Sequence, residues 1–192
     1  MVWCMSPTPG NVQRIKHVII DPMHLTSIPM PAGTWPPAIR SNAIAAVIAA
    51  ADGRSDRAAH LLATVEGDEG VQGGVAKALV NLLGGDRQSA ERAVRELTNH
   101  ADPAQVEVEV NAVGYVLLRA EKAEQALEVF ELNTRVFPEA FNTWDSLGEA
   151  HMILRHDDDA IRSYERSLEL NPRNANATTM IARIREGAGP PN

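Results

Sequence analysis

The stretch FNTWDSLGEAHMILRHDDDAIRSYERSLELNPR, residues 141–173, decides the fold of this 192-residue chain. It repeats residues 107–139 at an offset of 34, and the two copies carry residues of the same kind at four places: Gly114 and Gly148, Ala126 and Ala160, Phe130 and Tyr164, Pro138 and Pro172. Each copy therefore predicts two helices that cross at the small residues and end at the proline, because proline cannot continue a helix.

The spacing of small residues extends this pattern toward the N-terminus. Gly148 and Ala160 lie 12 residues apart, on the two arms of one predicted hairpin, where a close crossing requires small side chains. The same spacing recurs in three further pairs: Ala46 with Ala58, Ala78 with Ala90, and Gly114 with Ala126. Leu62 and Val94 then take the place that an aromatic residue holds in the later copies. The sequence thus predicts four hairpins, the first two being degenerate copies.

The length and pattern of these copies resemble the tetratricopeptide repeat. The second copy carries the family's residues at six positions: Trp144, Leu147, Gly148, Ala160, Tyr164 and Pro172. It departs from the family at His151, where Tyr is usual. The resemblance implies an all-α, right-handed α-solenoid of antiparallel helix hairpins. It also implies a scaffold or adaptor that binds a peptide segment of a partner in its concave groove.

The register of the repeats predicts the domain organisation. Residues 1–36 form an irregular, proline-rich N-terminal arm, residues 37–188 form the repeat domain, and residues 189–192 form a tail. The domain divides into hairpins at about 37–66, 71–100, 103–138 and 140–172, followed by a C-terminal capping helix at 174–187. In the arm, residues 12–20 favour a short strand. Residues 28–37 are predicted to be a polyproline-like recognition motif, a segment packed along the first hairpins, or a mobile arm.

Composition excludes several classes of partner. The formal net charge of −7 argues against a nucleic-acid ligand. The longest apolar run is about nine residues, far short of a membrane span. Cys4 is the only cysteine, so no internal disulfide can form, and the N-terminus does not resemble a signal peptide. These features predict a cytoplasmic protein.

The alanine-rich N-terminal hairpins are expected to have apolar outer faces, so the sequence is also compatible with a homodimer.

The first helix of each hairpin is expected to line the concave groove, and the repeat register assigns the residues of its C-terminal half. These are Asn111, Tyr115, Leu118, Asn142, Asp145, Glu149, Met152 and Arg183. Chaperone-binding members of the family grip a C-terminal carboxylate with Lys, Arg and Asn, whereas Asp145 and Glu149 are acidic and Arg183 is the only cation nearby. The sequence therefore predicts a peptide with apolar and basic or polar character. The alternative is a solvated face that binds nothing.

The N-terminal half of the groove is predicted to be apolar. The second hairpin contributes Gln72, Val75, Leu79 and Leu82. The chain's own residues 21–37 could fill this end, in which case no external ligand would bind there.

The sequence contains no catalytic or metal-binding motif. It therefore predicts that the protein is not an enzyme and that it binds neither a cofactor nor a metal ion. His151 and His156 stand beside three aspartates, but a spacing of five residues is about 140° around a helix, which predicts that the two rings face different ways. The aspartates at 157–159 suit the start of a helix. The glycine-rich stretch at 67–74 lacks the Lys-Ser/Thr ending of a phosphate-binding loop.

Residues 107–176 also resemble the repeat tail attached to bacterial penicillin-binding-type serine hydrolases. Such hydrolases need a Ser-x-x-Lys motif, and no serine here has Lys three residues later. The resemblance implies an alternative function as an accessory subunit or module of an enzyme whose catalytic part is a separate chain.

Overall fold

A computed structural model describes residues 37–65 and 70–187, with side chains from residue 42 onward. All regular secondary structure in those ranges is helical. The helices are α1 Pro37–Ala51, α2 Ser55–Ala63, α3 Val71–Leu83, α4 Arg87–Leu97, α5 Pro103–Arg119, α6 Ala123–Val136, α7 Phe141–Ile153, α8 Asp157–Leu170 and α9 Ala175–Arg185. The predicted N-terminal arm and C-terminal tail lie outside the described residues.

The helices pack as consecutive hairpins that stack on one another. Within each hairpin the two helices contact each other, and α1, α3, α5 and α7 lie side by side along the stack. The predicted all-α solenoid is therefore confirmed. Its concave face belongs to these first helices, so a groove on that face is built by neighbouring hairpins rather than by one of them.

Small residues mark the crossing point of each hairpin. A Cβ on Gly114 would lie 2.3 Å from Cε1 of Phe130, and a Cβ on Gly148 would lie 2.8 Å from Cδ1 of Tyr164. Both rings are fully buried. In the first two hairpins the crossing residues are alanines that are also completely buried: Ala46, Ala58, Ala78 and Ala90. Each helix pair therefore packs with no more than a methyl group at the crossing.

The turns inside the hairpins repeat with the same register. Each turn contains one residue in the left-handed region, namely Gly53 (φ 71°), Gly85 (φ 93°), Glu121 (φ 58°) and Arg155 (φ 61°). These positions are separated by the same offsets as the small residues predicted to mark the crossings. The turn geometry thus relates the two degenerate hairpins to the two later copies, although only the first two use glycine, which adopts this conformation without strain.

The last helix, α9, covers the open end of the stack. Ala177, Ile181 and Ile184 pack against Met152 and Tyr164 of the fourth hairpin. Without this cover the apolar face of the last hairpin would be exposed to water, so α9 is the predicted capping helix.

Replacing Gly114 by Ala should destabilise the fold, because the added methyl group would overlap the Phe130 ring. Overpacking costs about 1–3 kcal/mol, offset in part by roughly 1 kcal/mol from the better helix propensity of Ala. Urea unfolding followed by circular dichroism should show a lower free energy of unfolding. The matched control is Gly74→Ala, where the added methyl meets only the end of the flexible Leu97 side chain and should destabilise less. Equal effects at both sites would contradict the crossing argument.

Candidate peptide-binding groove

The concave face opens into a cavity of about 890 Å³ between α5 and α7, closed at one side by α9. Its lining combines polar and apolar side chains from these three helices: Glu107, Val108, Asn111, Tyr115, Leu118, Arg119, Phe141, Asn142, Asp145, Glu149, Ile153 and Asn176. We call this cavity the acidic groove.

The structure brings six of the eight residues predicted from the register together in the acidic groove. They are Asn111, Tyr115, Leu118, Asn142, Asp145 and Glu149. Their convergence follows from the stacking of α5 on α7, because equivalent positions of successive repeats face the same side. Their role in binding a peptide stays a prediction.

Met152 and Arg183 do not line the acidic groove. Met152 is 1% exposed and packs with Tyr164 and Ile181 in the core, because α9 covers that side of α7. The neighbouring Ile153, which is exposed, takes the groove position instead. Arg183 lies half-buried on α9, outside the lining. Placing Met152 on the groove surface was therefore wrong, because its register position faces the capping helix.

The predicted apolar N-terminal half of the groove is also corrected by the structure. Val75, Leu79 and Leu82 are each at most 1% exposed and belong to the main core. The space enclosed by α1, α3 and α5 at this level has a volume of only about 10 Å³. The alanine-rich first hairpins pack so closely that their first helices contribute interior rather than binding surface.

Glu149 occupies the floor of the acidic groove. Its Oε2 accepts a hydrogen bond of 2.8 Å from the hydroxyl of Tyr115, which also lies 3.2 Å from Oγ of Ser146. Burial raises the pKa of Glu149, and the negative charge of Asp145 adds to that rise, while the Tyr115 hydrogen bond opposes it. Burial and the charge of Glu149 likewise raise the pKa of Tyr115, which keeps its proton.

Two further carboxylates are held by amide groups. Asp145 accepts hydrogen bonds from the Nδ2 atoms of Asn174, at 2.7 Å, and Asn176, at 2.9 Å. Glu107 accepts one of 3.0 Å from Nδ2 of Asn142. Burial raises the pKa of both carboxyl groups, and these hydrogen bonds offset only part of the effect. The groove thus concentrates three acidic groups that are poorly solvated.

The rest of the lining supplies one unsatisfied acceptor and an apolar rim. Oδ1 of Asn111 is buried without a hydrogen-bond partner among the described residues. Phe141 and Ile153 are the two large apolar side chains exposed in the part of the chain that the structure covers, at 40% and 37%. Both lie at the edge of the acidic groove.

Sequence reasoning missed several of the residues that shape the groove. Glu107 and Phe141 are the first residues of the two repeat copies, and the register does not predict a groove position there. Ile153 directly follows Met152, the residue that the register places in the groove. Asn174 is the N-cap residue of the capping helix and accepts a hydrogen bond from the backbone N–H of Ala177, while Asn176 lies in the first turn of that helix. The only available signal was the Asn-x-Asn pattern at the start of a helix, which by itself indicates capping.

The prediction that His151 and His156 face different ways was wrong. His156 precedes α8 rather than continuing α7, and the left-handed turn at Arg155 brings the two Nδ1 atoms to 3.4 Å. Across residues 37–65 and 70–187, no group of three or more His, Cys, Asp and Glu side chains is placed to hold a metal ion. Within the same ranges no helix has both the length and the hydropathy that crossing a bilayer requires.

The stacked hairpins and their concave groove define an α-solenoid of the protein-interaction class. Residues 141–174 match the family model of the tetratricopeptide repeat. The human Superkiller complex protein 3 is 32% identical over 76 residues, which are 40% of this chain and 5% of that protein.

Two similar solved structures complete the comparison. MamA AMB-1 is 22% identical, with 78% of this chain and 81% of that chain covered and a TM-score of 0.41. Pseudomonas aeruginosa pilF is 16% identical, with 78% and 68% covered and a TM-score of 0.42. The resemblance to hydrolase tails is not addressed by these matches and stays a prediction.

Replacing Glu149 by Gln should change how stability depends on pH. Burial raises the folded-state pKa of Glu149 above its usual 4.5. The stabilisation that the protonated carboxyl group gives to the folded state is therefore fully present below pH 4.5 and is lost as the pH rises through the folded-state pKa. The unfolding free energy of wild type minus that of Glu149→Gln should therefore decrease as the pH is raised from acidic to neutral. Urea unfolding across this range measures it.

Asp86→Asn provides a control of opposite sign. Hydrogen bonds from Ser89 lower the pKa of Asp86, so its contribution is present above the unfolded-state pKa and is lost as the pH falls. A stability difference that rises with pH for both variants would contradict the burial of Glu149.

Proposed function

We propose that the acidic groove binds an extended peptide segment of a protein partner, in which basic side chains stand beside apolar ones. The observation that supports this most directly is the convergence of Glu107, Asp145 and Glu149 on one cavity. Their hydrogen-bond donors include the Tyr115 hydroxyl and the side-chain amides of Asn142, Asn174 and Asn176. The groove therefore gathers three carboxylates that accept hydrogen bonds from neutral groups, and its lining also contains one cationic side chain, Arg119.

Desolvated carboxylates favour a cationic ligand. Burial of an ionised group is unfavourable unless an opposite charge offsets the lost hydration, and amide donors do so only in part. A Lys ammonium or an Arg guanidinium between Asp145 and Glu149 would supply that charge and lower the pKa of both carboxyl groups. A free C-terminal carboxylate would meet repulsion at the same place, so internal segments of a partner suit the groove better than its C-terminus.

The remaining features favour an extended backbone with apolar side chains. Oδ1 of Asn111 lacks a donor, and a peptide N–H or an Arg side chain would satisfy it. Phe141 and Ile153 offer apolar surface at the edge of the cavity, where aliphatic side chains of the ligand would be removed from water. The cavity of about 890 Å³ has room for several side chains.

The test uses a labelled octapeptide in which Lys and Leu alternate, and the same peptide with Glu in place of Lys. Fluorescence anisotropy should show binding of the Lys peptide only. The double substitution Asp145→Asn with Glu149→Gln should weaken that binding by about tenfold or more, since it removes two charges that pair with the ligand. Affinity should also fall as the pH is lowered and these carboxyl groups become protonated.

The matched control changes the net charge equally at exposed residues of the outer helices. Glu96→Gln with Glu124→Gln alters α4 and α6, away from the groove, and should leave the affinity within about twofold. Equal losses in both double variants would indicate a general attraction between a cationic peptide and an acidic protein. Binding that is unaffected by the groove substitutions would contradict the proposed function.

A further inference from the structure

The chain itself contains a segment with the chemistry that the acidic groove favours. The protein has a formal net charge of −7, yet residues 1–36 carry two basic residues, Arg14 and Lys16, against a single acidic one, Asp21. Both basic residues lie within residues 12–20, VQRIKHVII, among aliphatic side chains. This segment precedes the first described helix and is joined covalently to the repeat domain.

The side chains of this segment are of the kinds that the lining of the acidic groove favours. When a peptide binds in extended form, alternate residues share a face and stand about 6.5–7 Å apart, which places Arg14 and Lys16 beside Val18 and Ile20. Asp145 and Glu149 lie one helical turn apart on α7, about 5–6 Å between their Cβ atoms. The apolar rim lies at the edge of the same cavity. Two adjacent cations followed by aliphatic residues therefore find two adjacent carboxylates and an apolar edge.

The connecting chain is long enough for the segment to reach the groove of its own molecule. Sixteen residues, 21–36, separate it from α1, and an extended chain of that length spans up to about 53 Å. From α1 the groove is reached across α3, α5 and α7, which contact one another in that order. Packed helices lie about 8–10 Å apart, so the lateral distance is roughly 25–30 Å.

We infer that residues 12–20 occupy the acidic groove of the same molecule and that an external partner must displace them. This inference rests on the proposed function and identifies a ligand for it. A tethered segment competes at an effective concentration in the millimolar range, so even a weak peptide becomes an efficient internal competitor. The segment would thereby select for partners that bind more tightly than it does.

Zero-length cross-linking of the full chain tests the contact directly. A water-soluble carbodiimide activates a carboxylate, which then forms an amide with a lysine amine in contact, while the activating group leaves as a urea. The chain has only three lysines, Lys16, Lys77 and Lys122, so the products can be assigned by mass spectrometry. Lys122 forms a salt bridge with Asp52 and provides an internal positive control.

We expect Lys16 to be linked to Asp145, Glu149 or Glu107 in the monomer band. The link should be lost in Lys16→Arg, which keeps the charge but forms no stable amide, while the Lys122–Asp52 link remains. Presence of the control link without a link from Lys16 to the groove would overturn the inference. Links from Lys16 that occur only in a dimer band would also overturn it, because the segment would then occupy the groove of a second copy.

A titration with the alternating Lys-Leu octapeptide separates this inference from the proposed function. If the segment occupies the groove, Arg14→Glu with Lys16→Glu should increase the affinity for the octapeptide by about tenfold or more over wild type. Arg57→Glu with Lys77→Glu changes the net charge equally at other sites and should not. Equal affinity for both double variants would refute self-occupancy and leave the proposed function standing. Absence of octapeptide binding to every variant would refute both.

Discussion

The contact between an aromatic ring and a glycine inside the hairpin is the constraint on which the rest of the structure depends. Phe130 lies where a Cβ of Gly114 would be, and it also packs edge-on against the Tyr115 ring, with centroids 5.3 Å apart. This packing fixes Tyr115, whose hydroxyl donates to Glu149 of the next hairpin. A steric requirement within one repeat thus positions a polar contact between two repeats, and that contact lies in the groove.

The groove combines features that work against stability. Three carboxylates lose hydration there, and a buried Asn oxygen has no donor among the described residues, although each arrangement is unfavourable without a ligand. The outer face differs, because Arg87 of α4 forms a salt bridge with Glu131 of α6, and Arg135 of α6 forms one with Glu91 of α4. Carboxylates are therefore paired with arginines between α4 and α6, whereas Glu107, Asp145 and Glu149 in the groove accept hydrogen bonds from amide and phenol groups. Such local costs are expected where a surface is shaped for binding rather than for folding.

The sequence predicted those features that follow from one repeat considered alone. The spacing of small residues indicated all four hairpins, and the register indicated Tyr115, Asp145 and Glu149 as neighbours. The sequence did not predict features that depend on how one helix packs against another or on how a turn directs the chain. Met152 is buried because α9 covers one side of α7, and His151 meets His156 because the turn at Arg155 reverses the chain. The repeat pattern contains no information on either packing angle.

The acidic groove exists in the folded chain before any partner binds, and its carboxylates are already desolvated. Site-specific pKa values from carbon-13 NMR titration of the carboxyl groups measure this most directly. With Arg14→Glu and Lys16→Glu in place, so that residues 12–20 supply no cation to the groove, we expect pKa values above the usual range for Glu107, Asp145 and Glu149, and one below it for Asp86, which is held by hydrogen bonds at the start of α4. Ordinary or lowered pKa values for all three groove carboxylates in that variant would show that these groups are solvated, which would contradict the desolvated groove.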